Sequence, residues 1–154
     1  MSRKFILFAA LLFAGLIAGG QYVVLWDYHP AQMSAVFYTE KMQHAIGHIG
    51  FPLFSVQIVA AILTVISAII FRNTSIFYFL VIAGLCCITG VLLTFFGAIP
   101  ILNEIGTWNI AAPPASWHDY AEKWWYVHVV RFLIQLAAFI LLLGSAFRFD
   151  RAVR

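Results

Sequence analysis

The sequence is short of charge. Of its 154 residues only 10% are Asp, Glu, Lys or Arg, while 64% are hydrophobic. A soluble domain of this size carries about 25% charged residues, so this chain has too little polar surface to cover itself in water. It is also short of cysteine. Cys86 and Cys87 are the two it has, adjacent inside an apolar run. No CxxC occurs, which excludes a membrane thiol oxidoreductase and leaves the pair as small packing residues. No internal repeat, low-complexity stretch or dividing linker is evident, so residues 1–154 are expected to form a single domain. The net charge of +3 does not point to nucleic acid, because the basic residues cap apolar segments and form no groove-binding stripe.

What is present is four apolar runs, at about 5–26, 51–71, 76–99 and 124–147. Each exceeds the roughly 20 residues that cross a hydrocarbon core of about 30 Å as a helix. Backbone groups in lipid must be bonded within their own segment, so helices are the expected form. The fold class predicted is all-α, a four-transmembrane-helix bundle. Arg3 and Lys4 ahead of an apolar run also fit a signal peptide. The run continues through Trp26, however, which is long for a signal core, and a retained first span is expected.

With four spans, Arg3, Lys4, Arg72, Arg148, Arg151 and Arg154 fall on one side, and Lys41 and Lys123 on the other. The positive-inside rule then puts both termini in the cytoplasm, with a bacterial inner membrane as the expected location. The link at 72–75 is so short that spans two and three must be antiparallel neighbours. Trp26, Trp124 and Trp125 mark the outer interface. The two outer segments, 27–50 and 100–123, are long for so small a bundle and carry aromatics, prolines and charges. They are expected to be ordered extracytoplasmic caps. Residues 32–50 can be partly helical and lead into span two, with Gly50 and Pro52 making a bend. The stretch from Pro100 to Glu104 is expected to end span three and turn the chain.

All five histidines (His29, His44, His48, His118 and His128) fall on the outer side of this topology. The inner half of the bundle is almost purely apolar, so a site belongs in the outer half. The sharpest constellation is in span four. Trp124, His128, Arg131 and Gln135 are spaced by four, three and four, and form one stripe on a helix. Arg131 lies roughly 10 Å along the axis from Trp124. A charge at that depth is costly unless paired or hydrated, so it should face the bundle interior. Glu104 and Asp27 are candidate partners. Arg131 then either clamps the outer loops, binds an anionic or enolate oxygen, or snorkels to the interface. His44 and His48, four apart, would share a helical face and could hold a metal with a third ligand such as His128, His29 or a carboxylate; facing histidines in a bundle can also ligate haem. Against this stands the plainer reading of satisfied interfacial histidines. Asn103 either bonds freed carbonyls at the end of span three or points its amide into a cavity. Trp108, Asn109 and the Pro113–Pro114 turn could form a lid, and Trp117 and Trp124 either cavity walls or interface anchors.

Several short motifs together carry a resemblance. Span one reads Phe13-Ala14-Gly15-Leu16-Ile17-Ala18-Gly19 and exits at His29-Pro30, and Phe51-Pro52-Leu53 opens span two. After span three come Pro100-Ile101-Leu102-Asn103-Glu104-Ile105 and Trp108-Asn109, and the last span holds Trp124-x-x-x-His128-x-x-Arg131. In these the chain resembles the anthrone oxygenase-like family of small four-helix membrane proteins. Fungal members oxidise anthrones to anthraquinones with dioxygen, while many bacterial members have no assigned reaction. The resemblance implies site roles for Asn103, Trp108, His128 and Arg131; His44 and His48 are not part of it.

The function expected on this basis is a membrane oxidoreductase or oxygenase acting on an anthrone, phenol or quinol. His128, Arg131 and Asn103 would be catalytic, and Trp108, Trp124, Gln135 and Glu104 would bind substrate. His128 would remove the substrate's acidic proton, and Arg131 with Asn103 would stabilise the enolate oxygen. The cofactor is either none or a single copper, iron or zinc ion at His44 and His48, with haem the weaker alternative. Two other functions stand beside it: a metal or haem protein of the outer face, and a non-enzymatic small subunit or binding protein. The expected partners are the lipid bilayer and a lipophilic small molecule. Gly15, Gly19 and Gly20 could also pack a homo-oligomer or a larger membrane complex.

Overall fold

A computed structural model of the chain describes residues 3–152, and side chains through Arg148. Arg154 and the side chain of Arg151, both counted above among the basic residues of one side, lie outside the described residues. Six α-helices follow one another: α1 (Arg3–Asp27), α2 (Ala35–Ala45), α3 (Phe51–Ile70), α4 (Phe77–Leu92), α5 (Ile99–Gly106) and α6 (Trp117–Ala152). There is no strand among the described residues. A π-helical turn, Ile46–Gly50, joins α2 to α3 without a break, and a second, Leu93–Ala98, joins α4 to α5. The chain thus has four continuous helices long and apolar enough to cross a membrane: Arg3–Asp27, Ala35–Ile70, Phe77–Gly106 and Trp117–Arg148.

The two π-helical turns have a common cause. Pro52 and Pro100 each lie within two residues of the end of one. A proline inside a helix offers no N–H to the carbonyl four residues back, and its ring clashes with that carbonyl. Widening the preceding turn accommodates the ring and lets the helix continue. Pro100 therefore does not end span three, as the sequence suggested. The helix passes through it to Gly106. The outer segments are for the same reason mostly extensions of the spanning helices. Ser34 starts α2, its Oγ accepting from the Phe37 N–H at 3.4 Å.

Packing follows residue size. α1 lies against α3 and α6, and α4 lies against the same two, which gives a four-membered ring. At the end bearing Arg72, the core is Leu7, Ala10 and Ala14 with Phe71, Leu80, Ala83 and Leu142. In the middle Ala61, Cys87 and Ala138 allow close approach, so Cys87 is the packing residue the sequence suggested. At the histidine-bearing end Tyr28, Tyr38, Met42, Ile105, Trp108 and Trp124 form an aromatic cap. Phe8, Leu16, Ile62, Leu85, Leu133 and Ile140 are exposed around the ring, as a lipid-facing surface requires. Hydroxyls within the spans bond back along their own helices: Thr64 to Ala60 O at 2.7 Å, Ser67 to Leu63 O at 2.8 Å and Ser145 to Leu141 O at 2.9 Å. None of these three is left unpaired in an apolar medium.

One side chain ties α2 to the end of α5. Gln43 Nε2 on α2 donates to Ile105 O at 3.0 Å and to Trp108 O at 2.8 Å. Ile105 O also accepts the Trp108 N–H at 3.2 Å, whereas Trp108 O lies beyond the end of α5, where carbonyls have no helical partner. Gln43→Leu is expected to cost about 1–3 kcal/mol, since the Trp108 carbonyl loses its donor. The check is the unfolding temperature in lipid nanodiscs, which should fall; an unchanged value would mean that the two bonds contribute nothing.

Candidate functional site

The site is built on α6. The stripe Trp124, His128, Arg131 and Gln135 faces into the bundle, and Trp124, His128 and Gln135 are buried. His128 Nε2 lies 2.9 Å from the backbone carbonyl of Gln21 on α1. A carbonyl can only accept, so Nε2 carries a proton and donates it. In the neutral ring the basic lone pair is then on Nδ1. The Trp124 indole stacks on the imidazole, centroids 5.2 Å apart and planes 19° apart. The ring is thus held by a bond on one edge and a flat wall on one face.

Arg131 is one turn deeper. Its Nε is buried and has no hydrogen-bond partner. Among the described residues no carboxylate lies within ion-pair distance of it. The partners suggested by the sequence are engaged elsewhere. Asp27 pairs with Lys41, whose Nζ lies 2.7 Å from Oδ1 and also donates to the Asp27 carbonyl at 2.7 Å. Glu104 accepts from the Trp108 indole N–H at 3.4 Å. Arg131 therefore brings an unmatched positive charge into the bundle. Beside the Asp27–Lys41 pair, Lys41 also sits over the Tyr28 ring at 4.6 Å. Burial, and after it the Asp27 charge, push the Tyr28 phenol up, which keeps it a neutral donor.

His128 and Arg131 line one cavity of about 310 Å³, between α1, the α2–α3 junction, the α4–α5 junction and α6. That lies at the small end of the range for sites that hold an organic molecule, about 300–1,000 Å³. The wall is mostly apolar, from Ile17, Val24, Met42, Phe54 and Leu102 among others; its other polar side chains include Gln21, Thr94 and Asn103. Ile49, Gly50, Phe51 and Asn103 are both lining and exposed, so the mouth lies between the first π-helical turn and α5. Both proline-associated turns thus border the cavity, and the widened helix there leaves room for it.

Of the residues singled out in the sequence, His128, Arg131, Asn103 and Trp124 come together on this wall. Trp108, Glu104 and Gln135 do not line it. Trp108 is buried in the cap, edge-on to Tyr120 with centroids 5.5 Å apart, and Trp117 packs on Tyr38. Gln135 is buried deeper in the bundle. His44 and His48 do share a face, with rings stacked 4.2 Å apart. They turn away from the cavity, to which their segment contributes Ala45, Ile46 and Ile49 instead. His48 also commits Nδ1 to the His44 carbonyl at 2.9 Å. Among the described residues no three His, Cys, Asp or Glu side chains converge as metal ligands, so the third ligand expected for a metal at this pair is not brought to it.

Sequence reasoning missed Gln21 and Thr94 on the wall and Gln57 behind it. Their signal was available: each is a polar side chain inside an otherwise apolar run. A family model described as anthrone oxygenase matches residues 42–141, well over half of the chain and including His128, Arg131, Asn103 and the first π-helical turn. Among curated proteins and among solved structures nothing matches.

Proposed function

The chain belongs to the anthrone oxygenase family, and from that premise we propose that it is a membrane oxygenase acting on a flat, lipophilic aromatic with an acidic C–H or O–H: an anthrone, phenol or quinol. The observation that carries this reading is the pairing, in one largely apolar cavity, of an imidazole with a defined free lone pair and a guanidinium without a counter-charge. One supplies a base and the other an electrostatic partner for the anion the base creates. By the distribution of its basic residues, the cavity lies in the extracytoplasmic half and both termini are cytoplasmic.

For an anthrone the steps balance without remainder. His128 Nδ1 takes a proton from the methylene, and the charge moves to the ring carbonyl oxygen, beside Arg131, with the Asn103 amide at the mouth as a second donor. The carbanion adds dioxygen, and the proton returns from His128 to give a hydroperoxide. Loss of the second methylene proton with cleavage of the O–O bond releases water and leaves a carbonyl. The substrate gives up four electrons; dioxygen takes them, one oxygen atom ending in the quinone and the other in water. An apolar wall suits a substrate that arrives from the bilayer, and Trp124 supplies a flat surface for it. The test is turnover of anthrone under ¹⁸O₂ by the protein in nanodiscs. One labelled oxygen per quinone is expected, at a rate well above that of empty nanodiscs. No excess over the empty discs, or an unlabelled product, would overturn the reading.

A further inference from the structure

Behind Arg131 the bundle holds a group of polar side chains that the proton-transfer chemistry does not use. Gln21 on α1, Gln57 on α3 and Gln135 on α6 are 2%, 1% and 0% exposed. Both amide atoms of Gln21, both of Gln135 and Nε2 of Gln57 have no hydrogen-bond partner. Such atoms are costly to leave unmet when buried, and water is not at hand from surrounding lipid. Gln21 lines the cavity directly, as does Thr94, whose hydroxyl donates to Gln57 Oε1 at 2.9 Å. Gln57 and Gln135 converge on the Gly90 backbone: a methyl there would lie 3.0 Å from Gln57 Nε2 and would collide with Gln135 Nε2. Glycine at 90 is what lets the two amides meet, behind the part of the cavity wall that Gln21 and Thr94 form.

We infer that this part of the wall is a second subsite, where the Gln21 amide and, behind Thr94, the Gln57 and Gln135 amides turn to bind a neutral hydroxyl of the substrate, separate from the oxygen held by Arg131. This rests on the reading of the cavity as an aromatic-substrate site. The donor set decides the ligand. The unmet atoms include amide N–H groups and amide oxygens together. A carboxylate or phosphate would satisfy the first and be repelled by the second, whereas a hydroxyl both donates and accepts. The group is uncharged, so a neutral oxygen is matched here, and an anionic one at the adjacent guanidinium. The substrate this selects is an aromatic with two oxygen functions: one able to become anionic, and one hydroxyl deeper in the bundle.

Binding measures this without turnover. The full chain in nanodiscs is titrated with naphthol and with a series of dihydroxynaphthalenes, free concentrations being set by dialysis against matched empty discs. A dihydroxy probe is expected to bind about tenfold or more tighter than naphthol, the effect of one well-made hydrogen bond to unmet buried groups. In Gln21→Leu and Gln135→Leu that advantage should shrink to about onefold, the loss falling on the dihydroxy probe. Gln135→Met, of similar length, and Gly90→Ala, whose methyl takes the place of the Gln135 amide, should do the same and cover a leucine variant that does not fold. If naphthol binds and no dihydroxy probe binds tighter, or if the advantage survives in the folded variants, the subsite is overturned while the cavity reading stands. If neither probe binds, both fall.

Discussion

Exchange of His128 for alanine is expected to lower kcat on an anthrone about 10²–10⁴-fold, the usual contribution of a positioned general base. The alanine variant alone is ambiguous, because it also removes the bond to the Gln21 carbonyl, which ties α6 to α1. His128→Gln separates the two roles. A glutamine amide can still donate toward the Gln21 carbonyl, but it has no basic nitrogen. It should keep the unfolding temperature near that of the parent and lose the same 10²–10⁴-fold in rate. The measurement is oxygen uptake in nanodiscs, corrected for the spontaneous oxidation of the substrate. If His128→Gln turns over at the parental rate, the imidazole is a structural tie only, and proton abstraction must be assigned elsewhere in the cavity. The assignment of Nδ1 as the base makes a further demand. The acidic C–H must approach the ring edge remote from α1, with its plane along the Trp124 indole, which stacks at 19° to the imidazole.

The spanning helices were legible because lipid imposes one rule, internal backbone bonding over about 20 apolar residues, and four runs obey it. The stripe from Trp124 to Gln135 was legible because helical periodicity fixes which side chains share a face. Burial of that stripe followed from the cost of placing a guanidinium against acyl chains. The segments around Pro52 and Pro100 were harder to read. A proline usually stops a helix, and nothing local announces that a π-helical turn will carry the chain past it. Because of those turns, α2 and α5 reach beyond the lengths of the apolar runs and close over the cavity. The partners of Arg131 were not legible either. Asp27 and Glu104 lay within plausible reach along the chain, but which cation meets Asp27 depends on how α2 lies over α1, and Lys41 reaches it first. Gln135 was singled out with its stripe, but Gln21 and Gln57 were visible as letters and passed over, since a lone amide in a span is usually paired. That Gln57 and Gln135 meet is a property of the packed ring, from two different helices, and no single-helix pattern contains it.

Arg131→Leu should make the protein more stable and nearly inactive at once. The guanidinium has no carboxylate partner among the described residues, and its Nε has no acceptor. In the substrate-free protein its burial is therefore a cost, one that insertion scales put at about 2.5–3.5 kcal/mol for an arginine at the centre of a spanning helix. Leucine removes that cost, and the unfolding temperature in nanodiscs should rise. The rate should fall about 10²–10³-fold, as when a preorganised oxyanion donor is removed, because the enolate loses the fixed positive charge beside which it forms. Arg131→Lys restores a charge but neither the planar fork nor its reach, so it should recover part of the rate and little of the stability gained by leucine. The opposite pattern, lower stability with activity retained, would identify Arg131 as a clamp for the cap and remove it from the chemistry. A residue that is costly until substrate arrives is what a site for a developing anion requires. On the proposed function, the charge is left uncompensated in the resting protein so that the reaction itself supplies the counter-charge, and the stability given up in holding it there would be recovered as a lower barrier.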